Sequence, residues 1–516
     1  MTGRSFYLTC AIDYVNSNPH LGTAYEKIAA DALARYHRLA GRDVCFLMGT
    51  DEHSINVERA ARKEGLDPLA YTDRMASRFQ TVWKSLELSY DVFIRTTEAR
   101  HQRAVQELFR RIHDRGDIYK GKYEGYYCVS CEAFKQEKDL VDGKCPIHRT
   151  PPDWIEEENY FFRLSRFQEP LREHFLAHPE FLVPESRRNE IVNVIEGGLD
   201  DLSVTRPGTG WGVALPMDPG HRVYVWFDAL INYLTGVGFA ADPPDPAFER
   251  YWPADLHVIG KDITRFHAII WPAMLMSAGI PLPRQILGHG FVTLKGEKLS
   301  KSLGNIVDPL EITSRFGPDP LRYYLLKEVP LDRDGDFTWD LFIERYNTEL
   351  ANDLGNLVSR TVSMTVKYFE GGLPAPGAAA LPGPLADLRE TAVRAAEAAG
   401  RAFERLAVDE AIAASWTLVR RANQAIEETA PWKLAKSGET DRLAGTMTAL
   451  LEAVRIAALL LTPVLPGKCA EIRERLRSAT PEAELAWDQA RWDPGAFPPA
   501  GPLARPEPLF PRIEAE

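Results

Sequence analysis

The residues best suited to chemistry lie in two short stretches, Asn18-Pro19-His20-Leu21-Gly22-Thr23 and Gly296-Glu297-Lys298-Leu299-Ser300-Lys301-Ser302-Leu303-Gly304-Asn305. The first puts a histidine and a glycine where an apolar run gives way to a helical pattern. A helix N-terminus offers backbone N–H groups and a partial positive charge, which suits phosphate. His20 can donate to a phosphoryl oxygen, and Gly22 lets the backbone come close to a nucleotide. In the second stretch Lys298 and Lys301 can neutralise departing pyrophosphate. Together the two could hold a nucleoside triphosphate from both sides. Each also has a plainer reading, as a capped turn and as a solvated surface loop, because such short patterns recur by chance.

The surrounding elements favour the first reading. Residues 6–12 form a short apolar run that predicts a buried strand. Ile28, Ala29, Ala32, Leu33, Tyr36 and Leu39 then share one face of a helix that Gly41 stops, and residues 44–48 predict the next strand. This is a β-α-β unit with His20 and Gly22 in its first turn, where open parallel sheets bind ligands. A second unit runs through a strand at 255–259, Gly260-Lys261-Asp262, a helical stretch with Phe266, Ile269, Ile270 and Met274 inward, and a strand from Ile286 towards Leu294.

Cysteine spacing supplies a third signal. Cys128-Val129-Ser130-Cys131 is followed after thirteen residues by Cys145-Pro146-Ile147-His148. Two close pairs joined by a loop are zinc-knuckle spacing, and four ligands with no vacancy imply a structural Zn²⁺. Disulfides or free thiols are the alternative, disfavoured by the absence of a secretory signal pattern at residues 1–4. Cys10, Cys45 and Cys469 sit singly in apolar contexts and read as buried small hydrophobes. The predicted fold class is therefore α/β: a Rossmann-type doubly wound parallel sheet with a zinc-bearing insertion, followed by an α-helical bundle.

These residues carry a family resemblance. His20-Leu21-Gly22-Thr23 resembles the HIGH signature of class I aminoacyl-tRNA synthetases, and Lys298-Leu299-Ser300-Lys301-Ser302 resembles KMSKS. In detail the chain resembles the methionyl-tRNA synthetases of single zinc-knuckle type. That match rests on Tyr14-Val15-Asn16, Gly49-Thr50-Asp51-Glu52-His53, Tyr224-Val225-Trp226-Phe227-Asp228-Ala229, Ile259-Gly260-Lys261-Asp262-Ile263, Phe266-His267 and Trp271-Pro272-Ala273-Met274. Three positions depart from the pattern. Thr23 stands where the family usually has histidine, so one donor cannot carry charge. Asp13 stands where a small or cyclic residue is usual, and Leu230 where proline is common.

The resemblance implies methionine activation with ATP, by carboxylate attack on the α-phosphate, and transfer of methionine to the 3′ end of tRNA(Met), including the initiator. It assigns His20, Lys298 and Lys301 to catalysis, and His20, Gly22, Thr23, Gly260, Asp262, Lys298, Ser300 and Lys301 to ATP, with Mg²⁺ accompanying it. It assigns Ile12, Tyr14, Asp51, Trp226, Ala229, Tyr233, Ile263 and His267 to methionine, with Asp51 on the ammonium. Cys128, Cys131, Cys145 and His148 would hold the zinc. Asn352, Asn356 and Arg360, spaced for one helix face, and Trp432 resemble the family's anticodon-reading residues. Without the resemblance, that stripe reads as polar surface and Trp432 as core.

The expected organisation is a first sheet half at 1–115, the zinc insertion at 116–225, the second half at 226–295 and a connecting segment with the lysine loop at 296–340. A helical anticodon-binding domain at 341–495 and a Pro-rich tail at 496–516 follow. Length alone calls for more than one core. The formal net charge of −12 gives no general attraction to RNA, so contact would rest on local patches such as Arg187-Arg188, Arg420-Arg421 and Lys433 with Lys436. Readings for Leu, Ile or Val lack their editing insertion here, and a dead paralogue would not need Lys298, Lys301, Asp51 and Trp226 together. The expected partners are tRNA(Met), ATP and L-methionine, with no membrane, in a cytoplasmic monomer.

Overall fold

The computed structural model describes residues 4–514 except 129–132, 136, 138–139, 147–148, 209, 295, 299–306, 371, 373–382, 479 and 496–500, and without the side chains of 133–135, 297–298 and 482. Cys131, His148, Ser300 and Lys301 therefore lie outside the described residues, as does the side chain of Lys298.

The central sheet has seven strands: β1 Ser5–Cys10, β2 Asp13–Tyr14, β3 Asp43–Asp51, β4 Val92–Arg95, β5 Leu182–Val183, β6 Leu256–Gly260 and β7 Ile286–His289. They run in the order β4-β3-β1-β6-β7-β5, with β2 prolonging β1 beside β3, and every pairing is parallel. Leu8, Phe46, Leu47, Met48, Val258 and Ile259 are fully buried. Helices cover both sheet faces, which is why these strands read as unbroken apolar runs. The chain leaves β1 through helix α1 (Leu21–Leu39) to reach β3 on one side, while β6 lies on the other. The gap between the carboxyl ends of β1 and β6 is thus the switch point of the sheet, where such folds bind ligands. Gly49 is required by close approach: a Cβ there would lie 2.0 Å from the Ile94 carbonyl oxygen of β4.

The insertion carries an antiparallel sheet of Ile118–Cys128, Ala133–Lys135, Asp153–Phe162 and Leu202–Ser203, and a smaller one of Thr205–Pro207, Ala214–Leu215 and Asp218–Val223. Beyond β7, Val292–Leu294 pairs with Glu297–Lys298 and with Gly335–Asp336, forming the stem of the lysine loop. Asp336 fixes that stem by accepting from Thr293 Oγ1 at 2.9 Å and from Gly296 N at 3.0 Å.

Helices dominate from Trp339 onward. The segment read as one regular helix is Trp339–Arg345, then π-helical turns over Tyr346–Gly355, then Asn356–Phe369. Gly383–Glu404, Val408–Thr429 and Thr440–Leu461 pack around it. Thr440–Leu461 is long and apolar enough to cross a membrane, but 89% of its most apolar window is buried inside the protein, so it is a core helix. The fully buried Arg322 joins this region to α1, donating to Asp31 Oδ2 at 2.6 Å, Pro463 O at 3.0 Å and Val464 O at 3.1 Å. Burial acts to raise the Asp31 pKa, but Arg322 and Arg35 outweigh it and bring it to about 2. The tail returns to the body, with Leu509 and Phe510 buried and Ile513 in two backbone bonds to the Asn347 side chain.

Candidate active site

At the switch point lies a cavity of about 810 Å³. Its walls include every described residue that the sequence assigned to methionine (Ile12, Tyr14, Asp51, Trp226, Ala229, Tyr233, Ile263 and His267) and His20, Gly22, Thr23, Gly260 and Asp262 from the nucleotide set. Tyr123, Leu164 and 199–203 of the insertion close the cavity from above.

His20 is the N-cap of α1, and its Nδ1 accepts from the N–H groups of Gly22 (3.1 Å) and Thr23 (3.3 Å). An acceptor Nδ1 fixes the tautomer, placing the proton on Nε2 as a donor. The Thr23 hydroxyl accepts from His20 N at 3.0 Å and donates to His20 O at 2.8 Å, completing a capping box. A hydroxyl has one proton, and here the helix cap takes it. Thr23 therefore lines the cavity and clamps His20 through the helix cap.

The amino-acid end is aromatic. Trp226 stacks on Phe266 at 3.8 Å and 12°, and meets Tyr14 edge-on at 5.9 Å and 88°. His267 donates from Nδ1 to Ile263 O at 3.1 Å and accepts the Tyr233 hydroxyl at Nε2 (2.8 Å). Burial lowers its pKa to about 4, so the ring is neutral at pH 7. A soft, uncharged wall of this kind suits a thioether better than a charged or strongly polar side chain. Asp51, at the end of β3 and 3% exposed, sits opposite Tyr14 in the strand register.

Two supports were missed by sequence reasoning. Asp228 is buried between His53 Nδ1 (2.7 Å) and His101 Nε2 (2.8 Å), and His101 Nδ1 continues to Thr235 Oγ1 at 3.1 Å. Because His53 follows Asp51 by two residues and Asp228 follows Trp226 by two, this bridge ties the carboxylate wall to the aromatic wall. Burial works upward on Asp228, yet the two imidazoles outweigh it and hold its pKa at about 2. A depressed folded pKa contributes stability above the unfolded value near 3.8 that is lost as pH falls towards 2. Asp228→Asn is expected to cost about 3–5 kcal/mol, read as an earlier urea midpoint at pH 7, with the gap to wild type narrowing as pH falls through about 2. The second support is Asp13, Glu26, Lys27 and His289, which also line the cavity. The pairing of Asp13 with Lys27 on α1 (3.0 Å) gives the unusual Asp13 a physical account.

Elsewhere the assignments separate. Cys128 and Cys145 are buried, and Cys145 follows a tight turn at Asp142 and Gly143, both at positive φ. Among the described residues no three metal-capable side chains converge. Asn352 and Asn356 are exposed, but Asn352 sits in π-helical turns, so the regular α spacing used to group it with Arg360 does not hold there. Arg360 bonds Glu427 at 2.6 Å, and Trp432 is 40% exposed, not core. Most of the basic pairs are neutralised: Arg187 by Glu190, Arg188 by Glu185, Arg420 by Asp353, and Arg421 by Asp387 and Glu428.

Known proteins show the same plan. Residues 6–152 and 135–362 match the family model described as tRNA synthetases class I (M). The methionine–tRNA ligase of Thermosynechococcus vestitus is 46% identical over 519 residues, covering 98% of this chain and 97% of the relative. The chain belongs to the methionyl-tRNA synthetases. The corresponding ligase of Caldanaerobacter subterraneus subsp. tengcongensis is 45% identical over 514 residues, covering 99% of this chain and 80% of that one. The Mycobacterium tuberculosis methionyl-tRNA synthetase in complex with methionyl-adenylate superposes with a TM-score of 0.93 at 44% identity, covering 99% of this chain and 100% of that one. As a methionyl-tRNA synthetase, a class I ligase, the enzyme activates methionine with ATP and charges tRNA.

Proposed function

We propose that the switch-point cavity is the single site of methionyl-adenylate formation, with the residue roles below. The observation that carries this reading is the convergence of the methionine set and the described nucleotide set on one cavity. The Asp51 carboxylate and the Ile12 carbonyl hold the methionine ammonium, Tyr14 and His267 face the thioether, and Trp226 closes over the side chain. Gly22 and Gly260 flank the adenosine, and Asp262 accepts from the ribose hydroxyls. The methionine carboxylate then attacks the α-phosphate and pyrophosphate leaves. No covalent enzyme intermediate is needed, so catalysis is positioning and charge stabilisation. His20 donates from Nε2 on the helix side. Lys298, Ser300 and Lys301 act from the loop side, whose stem continues directly from the cavity wall at His289–Val292. Mg²⁺ accompanies the triphosphate and needs no dedicated protein cage.

Cys128, Cys131, Cys145 and His148 are proposed to hold one structural zinc; a thiolate-imidazole donor set suits that ion, and when bound it would brace the insertion above the site. Asn352, Asn356, Arg360 and Trp432 are proposed to read the tRNA(Met) anticodon, the initiator's included, in a cytoplasmic monomer. Exposure of Trp432 on a helical surface supports stacking on an unpaired base. Trp432→Ala is expected to raise KM for tRNA(Met) about 5- to 150-fold, from about 1–3 kcal/mol of base stacking, and to leave ATP–pyrophosphate exchange unchanged. Equal effects on both reactions would contradict the anticodon role.

A further inference from the structure

Asp13, Lys27, Glu26 and His289 form a buried charged chain across three elements of the cavity. Lys27 on α1, one turn beyond Thr23, is 1% exposed. Its ammonium lies 3.0 Å from Asp13 Oδ1, 2.7 Å from Glu26 Oε1 and 2.7 Å from the Ala11 carbonyl. Three protons meet three acceptors, so Lys27 has none to give a phosphate. Glu26 Oε2 is 3.0 Å from His289 Nε2, and His289 Nδ1 donates to Gly290 O at 2.7 Å. The chain thus runs from the Ala11–Ile12 turn on the methionine side, beneath α1, to the 289–292 segment on the nucleotide side. Burying an ammonium and two carboxylates costs several kcal/mol unless each is paired. One group is incompletely paired: Asp13 is 8% exposed, and its Oδ2 has no hydrogen-bond partner among the described residues.

We propose that the Asp13–Lys27 pair is a positioning element for ATP, holding the Ala11 turn against α1 and setting the charge beneath the phosphate-binding end of that helix. The inference rests on the nucleotide reading of the cavity. Burial raises the Asp13 pKa to about 7 against the pull of Lys27, with Glu26 adding to the rise. For Glu26 burial also acts upward, but Lys27 and His289 outweigh it and bring it to about 2. The other groups that face this chain stay fixed across neutral pH: Cys10 and Tyr233 are pushed far up by burial, and His267 is held near 4. Lys27 keeps its proton, raised by Asp13 and Glu26 against the opposing effect of burial. Below neutrality Asp13 carries the proton and the chain is one unit more positive, which favours a triphosphate. As pH rises through about 7 that unit is lost.

The test is KM for ATP in ATP–pyrophosphate exchange from pH 6 to 8.5, on the whole enzyme and on Asp13→Asn. ATP's own ionisation is common to both proteins. The expected result is a three- to tenfold rise in KM for ATP with pH in the wild type, flattened in Asp13→Asn. The double variant Asp13→Ala, Lys27→Met removes the pair and leaves Glu26 held by His289 (3.0 Å); it is expected to be equally flat, with a raised KM for ATP. Coincident ATP profiles in wild type and variants would overturn the proposal while exchange itself persists. Absence of exchange in the wild type would instead defeat the underlying reading.

Discussion

Asp51→Asn should raise KM for methionine about 100-fold or more in ATP–pyrophosphate exchange, with KM for ATP nearly unchanged. The side chain is 3% exposed at the carboxyl end of β3, on the cavity wall beside Tyr14 and Trp226. Removing one partner of a buried, hydrogen-bonded charge pair costs about 2–5 kcal/mol, much of it from the charge left behind. An amide keeps the shape and loses the negative charge, so a substrate ammonium enters the site without a counter-ion. The neighbouring Glu52 cannot compensate, because it is itself committed to Arg95 at 2.7 Å and Thr50 at 2.8 Å. A change below threefold would place the ammonium elsewhere.

Lys301→Ala should lower the rate of exchange at saturating substrates about 10²–10³-fold, with tRNA affinity nearly unchanged. Withdrawing one preorganised donor from a developing charge typically costs about 2.7–4 kcal/mol. The enzyme has little redundancy on the opposite side, since the Thr23 proton is given to His20 O and Lys27 is occupied by three acceptors. On the proposed roles, the charge of the leaving pyrophosphate therefore falls on His20, the loop lysines and the accompanying Mg²⁺. Ser300→Ala, which removes no charge, should cost much less. A Lys301→Ala enzyme within fivefold of wild type would shift that role to Lys298 or to metal alone.

The parts of this molecule legible in the sequence are those set by local pattern. Strands buried on both faces announce themselves as apolar runs, so β1, β3, β6 and β7 fall near where residues 6–12, 44–48, 255–259 and 286 onward predict them. α1 follows the 3.6-residue period through to Leu39, with Gly41 at φ +78 just beyond it. The π-helical turns at Phe266–Ile270 and Tyr346–Gly355 are not legible, because no residue type or motif marks where the backbone hydrogen bonds change from i→i+4 to i→i+5. Side-chain partners set by packing are not legible either. Thr23 looks like a lost donor until its cap bonds are seen, and Asp13 looks arbitrary until α1 brings Lys27 against it. His53, Asp228 and His101 lie in three separate segments that only the sheet topology brings together.

The central claim is that the switch-point cavity activates methionine and no other amino acid. Its most direct test is amino-acid-dependent ATP–pyrophosphate exchange, run on zinc-replete enzyme with each of the twenty amino acids in turn. Exchange is expected with methionine, at a rate far above that with leucine, isoleucine or valine. Exchange led by another amino acid, or none from folded enzyme, would contradict it.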